Sequence, residues 1–95
     1  MPSGLIITGA SRGIGAATAR LAARQGYPVC VNYIHDDQAA EAVVEEIRFA
    51  GGTAFAMQAD IAVEADIGRL FDAAESEFGD VSGLVNNAGI TGPIG

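Results

Sequence analysis

Among the residues of this 95-residue sequence that could do chemistry, one closely spaced group lies among glycines. The stretch Thr8-Gly9-Ala10-Ser11-Arg12-Gly13-Ile14-Gly15 places three glycines within seven residues, with a hydroxyl and a guanidinium between them. The apolar run Leu5-Ile6-Ile7 leads into it, and an amphipathic run starts at Ile14. A turn between a strand and a helix aims the helix's free backbone N–H groups, and the positive end of its dipole, at an anion. The three glycines serve different ends, since one permits a sharp turn, one lets the backbone approach a pyrophosphate, and one lets the helix lie close to the strand. The spacing G-x-x-x-G-x-G differs from G-x-G-x-x-G and lacks the Lys-Ser/Thr ending of a P-loop, which disfavours mononucleotide hydrolysis. The competing reading is a merely tight turn, and the strand before it and helix after it favour the binding turn.

The other polar candidates stand at the ends of apolar runs. Asn32 and Tyr33 close Val29-Cys30-Val31, Asp60 and Ile61 follow Ala54-Phe55-Ala56-Met57-Gln58, and Asn86-Asn87-Ala88-Gly89 follows Leu84-Val85. Cys30 reads as a small core residue and His35 as a solvated loop residue. The single cysteine excludes an internal disulfide and a cysteine-rich metal site, so a reducing compartment is expected. Glu41, Glu45 and Glu46 read as the wet side of a helix rather than as ligands.

These candidates must be positioned by alternating strands and helices. After the turn, Ile14, Ala17, Thr18, Leu21 and Ala22 recur at helical spacing and predict the buried face of a first helix, stopped at Gly26. Pro28 to Tyr33 predicts a second strand, with proline at its first position. Asp36 and Asp37 are N-cap candidates for a second helix burying Ala40, Val43, Val44 and Ile47 and ending at Gly51-Gly52. Residues 53–58 predict a third strand. A third helix is expected from about Val63 to Phe78, burying Ile67, Leu70, Phe71, Ala74 and Phe78, with Ala62 a poor cap unless Asp60 or Glu64 substitutes. Ser82 to Val85 predicts a fourth strand. Such alternation with short connections calls for an α/β fold of the Rossmann type, a doubly wound parallel sheet in the order 3-2-1-4. Its switch point falls between strands one and four, where the glycine turn, Asn32, Asp60 and the Asn86 to Gly89 loop converge at the strands' carboxyl ends.

Composition narrows the partners. The 49% apolar share with 13 glycines suits one packed domain over residues 1–95. A net charge of −7 argues against nucleic acid and anionic membranes, which need clustered Lys or Arg. The first strand begins too near Met1 for a signal peptide, and no apolar run reaches membrane-spanning length, so a cytoplasmic protein is expected.

Together these residues resemble the short-chain dehydrogenase/reductase family. Thr8 to Gly15 matches the family's T-G-x-x-x-G-x-G, Asp60-Ile61 its acidic position after the third strand, and Asn86-Asn87-Ala88-Gly89 its N-N-A-G. The wording around Val31-Asn32-Tyr33 and Ala50-Gly51-Gly52 is similar to the 3-oxoacyl-carrier-protein reductase and glucose dehydrogenase members. The resemblance implies a nicotinamide dinucleotide held by Gly9, Ser11, Arg12, Gly13, Ile14 and Gly15 at its phosphates and adenosine ribose. Asn32 and Tyr33 would lie by the ribose, Asp60 would accept from the adenine amino group, Ile61 would line the ring, and Asn87, Ala88 and Gly89 would pack on the adenine side. Asn87 can equally be a purely structural hydrogen-bonding residue. It further implies a carbonyl or secondary-alcohol substrate and a homo-oligomeric parent protein. The family's catalytic Ser and Tyr-x-x-x-Lys are absent: the chain has no lysine, and the residues four beyond Tyr27 and Tyr33 are Val31 and Asp37. No catalytic or metal residue is therefore assigned, and the chain is expected to be the inactive N-terminal, cofactor-binding half of an oxidoreductase; the alternative is a non-catalytic nucleotide-binding or regulatory module. An NAD site places a carboxylate at the end of the second strand. Neutral Asn32 there, with Arg12 in the turn, predicts NADP in preference to NAD; the alternative is that Arg12 is only a solvated turn residue, and the acidic pair Asp36 and Asp37 nearby weakens the local positive field.

Overall fold

In the computed structural model, which describes residues 2–87, the elements run β1 (Gly4–Thr8), α1 (Gly13–Arg24), β2 (Val29–Tyr33), α2 (Asp37–Phe49), β3 (Ala54–Gln58), α3 (Glu64–Phe78) and β4 (Val81–Asn86). All three strand pairings are parallel and the order is β3-β2-β1-β4, as the alternation predicts. The register aligns Ile7 with Val31 and Val85, and Asn32 with Met57, so the carboxyl ends of the strands form one rim.

Successive residues of a strand point to opposite faces of the sheet, and both faces here are covered. Ile7, Val29, Val31 and Ala54 pack with Ala16, Ala19, Ala40, Val43, Val44 and Ile47 from α1 and α2. Ile6 and Cys30 pack on the other face with Leu70 and Ala74 of α3, joined by Phe55, Met57, Phe71, Phe78 and Leu84. The rings of Phe55 and Phe78 meet there with centroids 5.3 Å apart at 57°, a tilted arrangement that an aromatic quadrupole favours. Burial pushes the Cys30 thiol up to about 12, so it is protonated at neutral pH and packs as an apolar group. Among the described residues no helix is long and apolar enough to cross a membrane.

The buried face of α2 is the expected one. That of α1 is not. Gly15, Ala16 and Ala19 are buried, whereas Ile14 is 66% and Leu21 55% exposed. The helix presents its small side chains to the sheet because only they allow its close approach, and the larger Ile14 and Leu21 are carried outward. The start of α3 also differs. Its N-cap residue is Val63 rather than Ala62, and no side chain caps it. Asp60 instead accepts from the Ala62 N–H through Oδ1 at 2.9 Å and from the Val63 N–H through its carbonyl at 2.9 Å, closing the turn one residue ahead of the helix.

Candidate functional site

At the end of β1 the chain reverses through Gly9 and Gly13, with φ of 58° and 61°, a region that side-chain-bearing residues enter only with strain. The Ala10 N–H donates to the Asn32 carbonyl at 3.0 Å, which pins the turn to β2 before the helix begins. Gly15 is where α1 comes closest: a Cβ there would collide with the Gly9 carbonyl oxygen and stand 2.8 Å from its carbon. A Cβ on Gly13 would meet nothing, so the outer side of the turn is open.

The N-terminus of α1 is left bare. Arg12 occupies the N-cap position with extended backbone, no side chain caps the helix, and its first turn holds no acid. The first-turn N–H groups of Gly13, Ile14 and Gly15 have no intrahelical acceptors, and nothing within the helix offsets the positive end of its dipole. A concave turn edged by such donors is suited to an anion such as a phosphate.

Around this turn the rim carries the remaining candidates. The exposed Arg12 guanidinium donates through Nη2 to Asp36 Oδ2 at 2.5 Å. Asp36 Oδ1 accepts from the Ala39 N–H at 3.0 Å, capping α2. The Ala39 N–H first, and then the Arg12 guanidinium, hold the Asp36 carboxyl below the ordinary aspartate range. Asn32 is buried, and its amide nitrogen lies 3.0 Å from the Ala59 carbonyl, 3.3 Å from that of Met57 and 3.4 Å from that of Tyr33. Its side chain thus ties the end of β2 to the end of β3. Tyr33 is half-buried beside it, and Asp60 and Ile61 are half-buried after β3. The Thr8 hydroxyl lies 3.0 Å from Asn86 Oδ1 and bridges β1 to β4 across the switch point. Asn87 is buried, and its Nδ2 has no hydrogen-bond partner among the described residues. Ala88 and Gly89 lie outside the described residues.

The structure therefore brings Gly9, Ser11, Arg12, Gly13, Ile14 and Gly15 into one turn and sets Asn32, Tyr33, Asp60, Ile61 and Asn87 along the same rim. Two pairings escape a reading of the sequence. Asp36 is recognisable as a cap, but its pairing with Arg12 spans 24 residues. Asp66 accepts from the Asp60 backbone N–H at 2.9 Å and pairs with Arg69 at 3.2 Å, an acid in a helix's first turn that holds the loop before it. A pocket of about 210 Å³ opens elsewhere, between the C-terminal halves of α1 and α2, where Arg20 pairs with Glu46 at 2.8 Å. It lies near the C-terminal ends of both helices, where the dipole is negative, and its lining includes Arg20, Arg24 and Glu46.

The fold and the bare helix end define a dinucleotide-binding type of crevice, and comparison with known proteins gives the family. The short chain dehydrogenase family model matches residues 4–94, and the chain belongs to that family. It is 47% identical over 91 residues to the 3-oxoacyl-[acyl-carrier-protein] reductase FabG of Staphylococcus epidermidis, covering 96% of this chain and 37% of that protein. A crystal structure of hydroxysteroid dehydrogenase from Escherichia coli superposes with a TM-score of 0.83 at 44% identity, over 88% of this chain and 35% of that one. A dehydrogenase/reductase from Sinorhizobium meliloti 1021 gives a TM-score of 0.86 at 38% identity, over 90% of this chain and 34% of that one. The chain thus spans little more than a third of the length of these relatives. Membership implies a nicotinamide cofactor, and the residues present fit one: an uncapped helix end, open space at Gly13 and, at the switch point, the buried Asn87 Nδ2, without a partner among the described residues, offer a pyrophosphate and its nucleoside donors and room.

Proposed function

We propose that this chain is the cofactor-binding part of an NAD(P)-dependent oxidoreductase that interconverts a carbonyl compound and a secondary alcohol. The observation that carries the reading is the uncapped N-terminus of α1, delivered by Gly9 and Gly13 to the gap between β1 and β4. Ser11, Arg12 and the N–H groups of Gly13, Ile14 and Gly15 would hold the pyrophosphate and adenosine ribose. Asn32 and Tyr33 would border the ribose, Asp60 would accept from the adenine amino group, Ile61 would line the ring, and Asn87, with Ala88 and Gly89, would back the adenine side. When bound, the nicotinamide supplies or accepts the hydride. No residue of this chain is assigned to proton transfer at the substrate oxygen, and the chain contains no lysine.

NADP is the favoured form. The end of β2 offers no carboxylate to accept from a ribose 2′-OH or to repel a 2′-phosphate, since Asn32 is neutral and turned to neighbouring carbonyls. Arg12 supplies an exposed guanidinium in the glycine turn, paired with Asp36. A cytoplasmic setting and a homo-oligomeric assembly accompany this reading, the first in keeping with the single buried thiol.

Titration of the protein with NADPH and NADH by calorimetry tests the assignment. Expected are saturable 1:1 binding, tighter for NADPH, and no hydride transfer by the 95-residue chain to carbonyl substrates. Absence of binding to both forms refutes the cofactor site; tighter binding of NADH refutes the preference.

A further inference from the structure

The loop after β3 is held by the helix that follows it. Asp60 makes two hydrogen bonds inside its own turn, its carbonyl accepting from the Val63 N–H and its Oδ1 from the Ala62 N–H, each at 2.9 Å. A third leaves the turn: the Asp60 N–H donates to Asp66 Oδ2 at 2.9 Å, in the first turn of α3. Asp66 is itself braced, since Arg69 Nη2 lies 3.2 Å from its Oδ1 and 3.2 Å from the Gln58 carbonyl. Leu70, next along, is fully buried against the sheet and fixes this part of the helix. We infer that Asp66 is a positioning residue for the adenine edge of the crevice: through its hydrogen bond it sets the direction in which Asp60 presents its carboxylate to the base's amino group. The inference rests on the reading of Asp60 as the acceptor for that amino group.

The peptide that joins Ala59 to Asp60 is gripped at both of its polar ends. Its carbonyl accepts from the buried Asn32 Nδ2 at 3.0 Å, and its N–H is the group that donates to Asp66. A rigid planar unit held at two points cannot turn; without Asp66 it can swing about the Asn32 contact and carry Asp60 with it. The bonds to Ala62 and Val63 do not prevent this, because they lie within the moving turn. Asp60 Oδ1 is engaged with Ala62, so Oδ2, without a partner among the described residues, is the oxygen left for a ligand. Hydrogen bonds weaken steeply as they leave alignment, so a swinging Asp60 recognises an amino group less well, while the glycine turn and its hold on phosphate are untouched. The Asp60 N–H first, and then the Arg69 guanidinium, hold the Asp66 carboxyl below the ordinary aspartate range, so it is charged at neutral pH. The bond itself needs only an acceptor oxygen, which asparagine also carries and alanine and leucine do not.

The test is equilibrium binding to the protein, by NMR shift titration, of two probes, adenosine 5′-monophosphate and purine riboside 5′-monophosphate, which is the same molecule without the amino group. The parent is expected to prefer the first by about three- to tenfold, the size of one net hydrogen bond. Asp66→Ala and Asp66→Leu, each shown to be folded by thermal unfolding, are expected to reduce that preference to less than about twofold, with affinity for the purine riboside changed by less than about twofold. Asp66→Asn is expected to retain at least half of the preference. A full preference in the folded Ala or Leu variant, while Asp60→Ala loses it, overturns the inference and leaves the cofactor site standing. Equal weakening of both probes overturns it in favour of a merely structural role, and a loss in Asp66→Asn as complete as in Asp66→Ala overturns it in favour of a charge effect. If the parent shows no preference, or Asp60→Ala keeps it, the reading of Asp60 fails and the inference falls with it.

Discussion

The helices α1 and α2 lie side by side on one face of the sheet, yet their N-termini are finished in opposite ways. At α2 an aspartate caps the first turn and a second one follows it, so the chain satisfies its own donors and dipole. At α1 the cap position holds an arginine, the first turn has no acid and two of its first three residues are glycine. The first end is built for stability. The second gives up about 1 kcal/mol of capping and leaves its first-turn N–H groups without a side-chain acceptor. The side-chain link between these ends joins the two cap residues themselves, Arg12 and Asp36. A helix end left unfinished next to one completed so fully is the observation on which the proposed cofactor site rests, and it supports that reading more sharply than the glycine spacing does.

Five substitutions break or sharpen that contrast. The largest effect is expected at Gly15, where an alanine Cβ would run into the Gly9 backbone. Gly15→Ala should destabilise the fold by about 1–3 kcal/mol through overpacking and abolish dinucleotide binding, as thermal unfolding and calorimetric titration would show. Gly13→Ala, with open space but positive φ, should cost about 1 kcal/mol of backbone strain and leave measurable binding. Arg12→Ser reverses the contrast by finishing α1 like α2. The protein without ligand should gain about 0.5–1 kcal/mol while nucleotide affinity falls, a gain in stability coupled to a loss of binding that a merely structural turn would not produce.

At α2, Asp36→Ala should lower the melting temperature at pH 7 by a few degrees. The Asp36 carboxyl is held below its ordinary value in the folded protein, so its contribution is complete above the ordinary aspartate value of 3.8 and is lost as pH falls through the lower folded value. The gap between the Asp36→Ala variant and the parent should therefore close on acidification below pH 3.8; a gap constant down to about pH 2 would show that the carboxylate charge is not what caps the helix. The smallest effect is expected at Arg20→Gln. This residue also links α1 to α2, through the exposed Glu46, but well away from both N-termini. Stability should change by less than about 1 kcal/mol and nucleotide binding not at all.

Much of this architecture is legible in the sequence, and the failures have physical causes. Strand order follows from short connections, alternation and the handedness of crossovers, all local properties. Periodicity misplaces the face of α1 because it weighs apolar residues by size: Ile14 and Leu21 outrank Gly15, Ala16 and Ala19, although close approach to the sheet selects the smaller set. A parallel strand covered on both faces loses its alternation, so nothing in Val29-Cys30-Val31-Asn32-Tyr33 announces that Asn32 reaches the ends of β3 rather than solvent. The glycine turn is readable because its backbone demands are written in residue type. The Arg12–Asp36 pair and the hold of Asp66 on Asp60 are not, because each joins separate segments whose distance is set only after the sheet has formed.

The Asn32 side chain has one more consequence. Its amide spans the seam between β2 and β3 at the rim, where a parallel sheet normally frays, and it does so from a fully buried position. Backbone amides near Ala59 and Asn32 should then exchange with solvent only on large-scale opening, whereas those at the opposite, amino-terminal edge exchange by local fraying. This seam of the rim is cross-linked without any ligand, so less conformational entropy should remain to be lost there on binding.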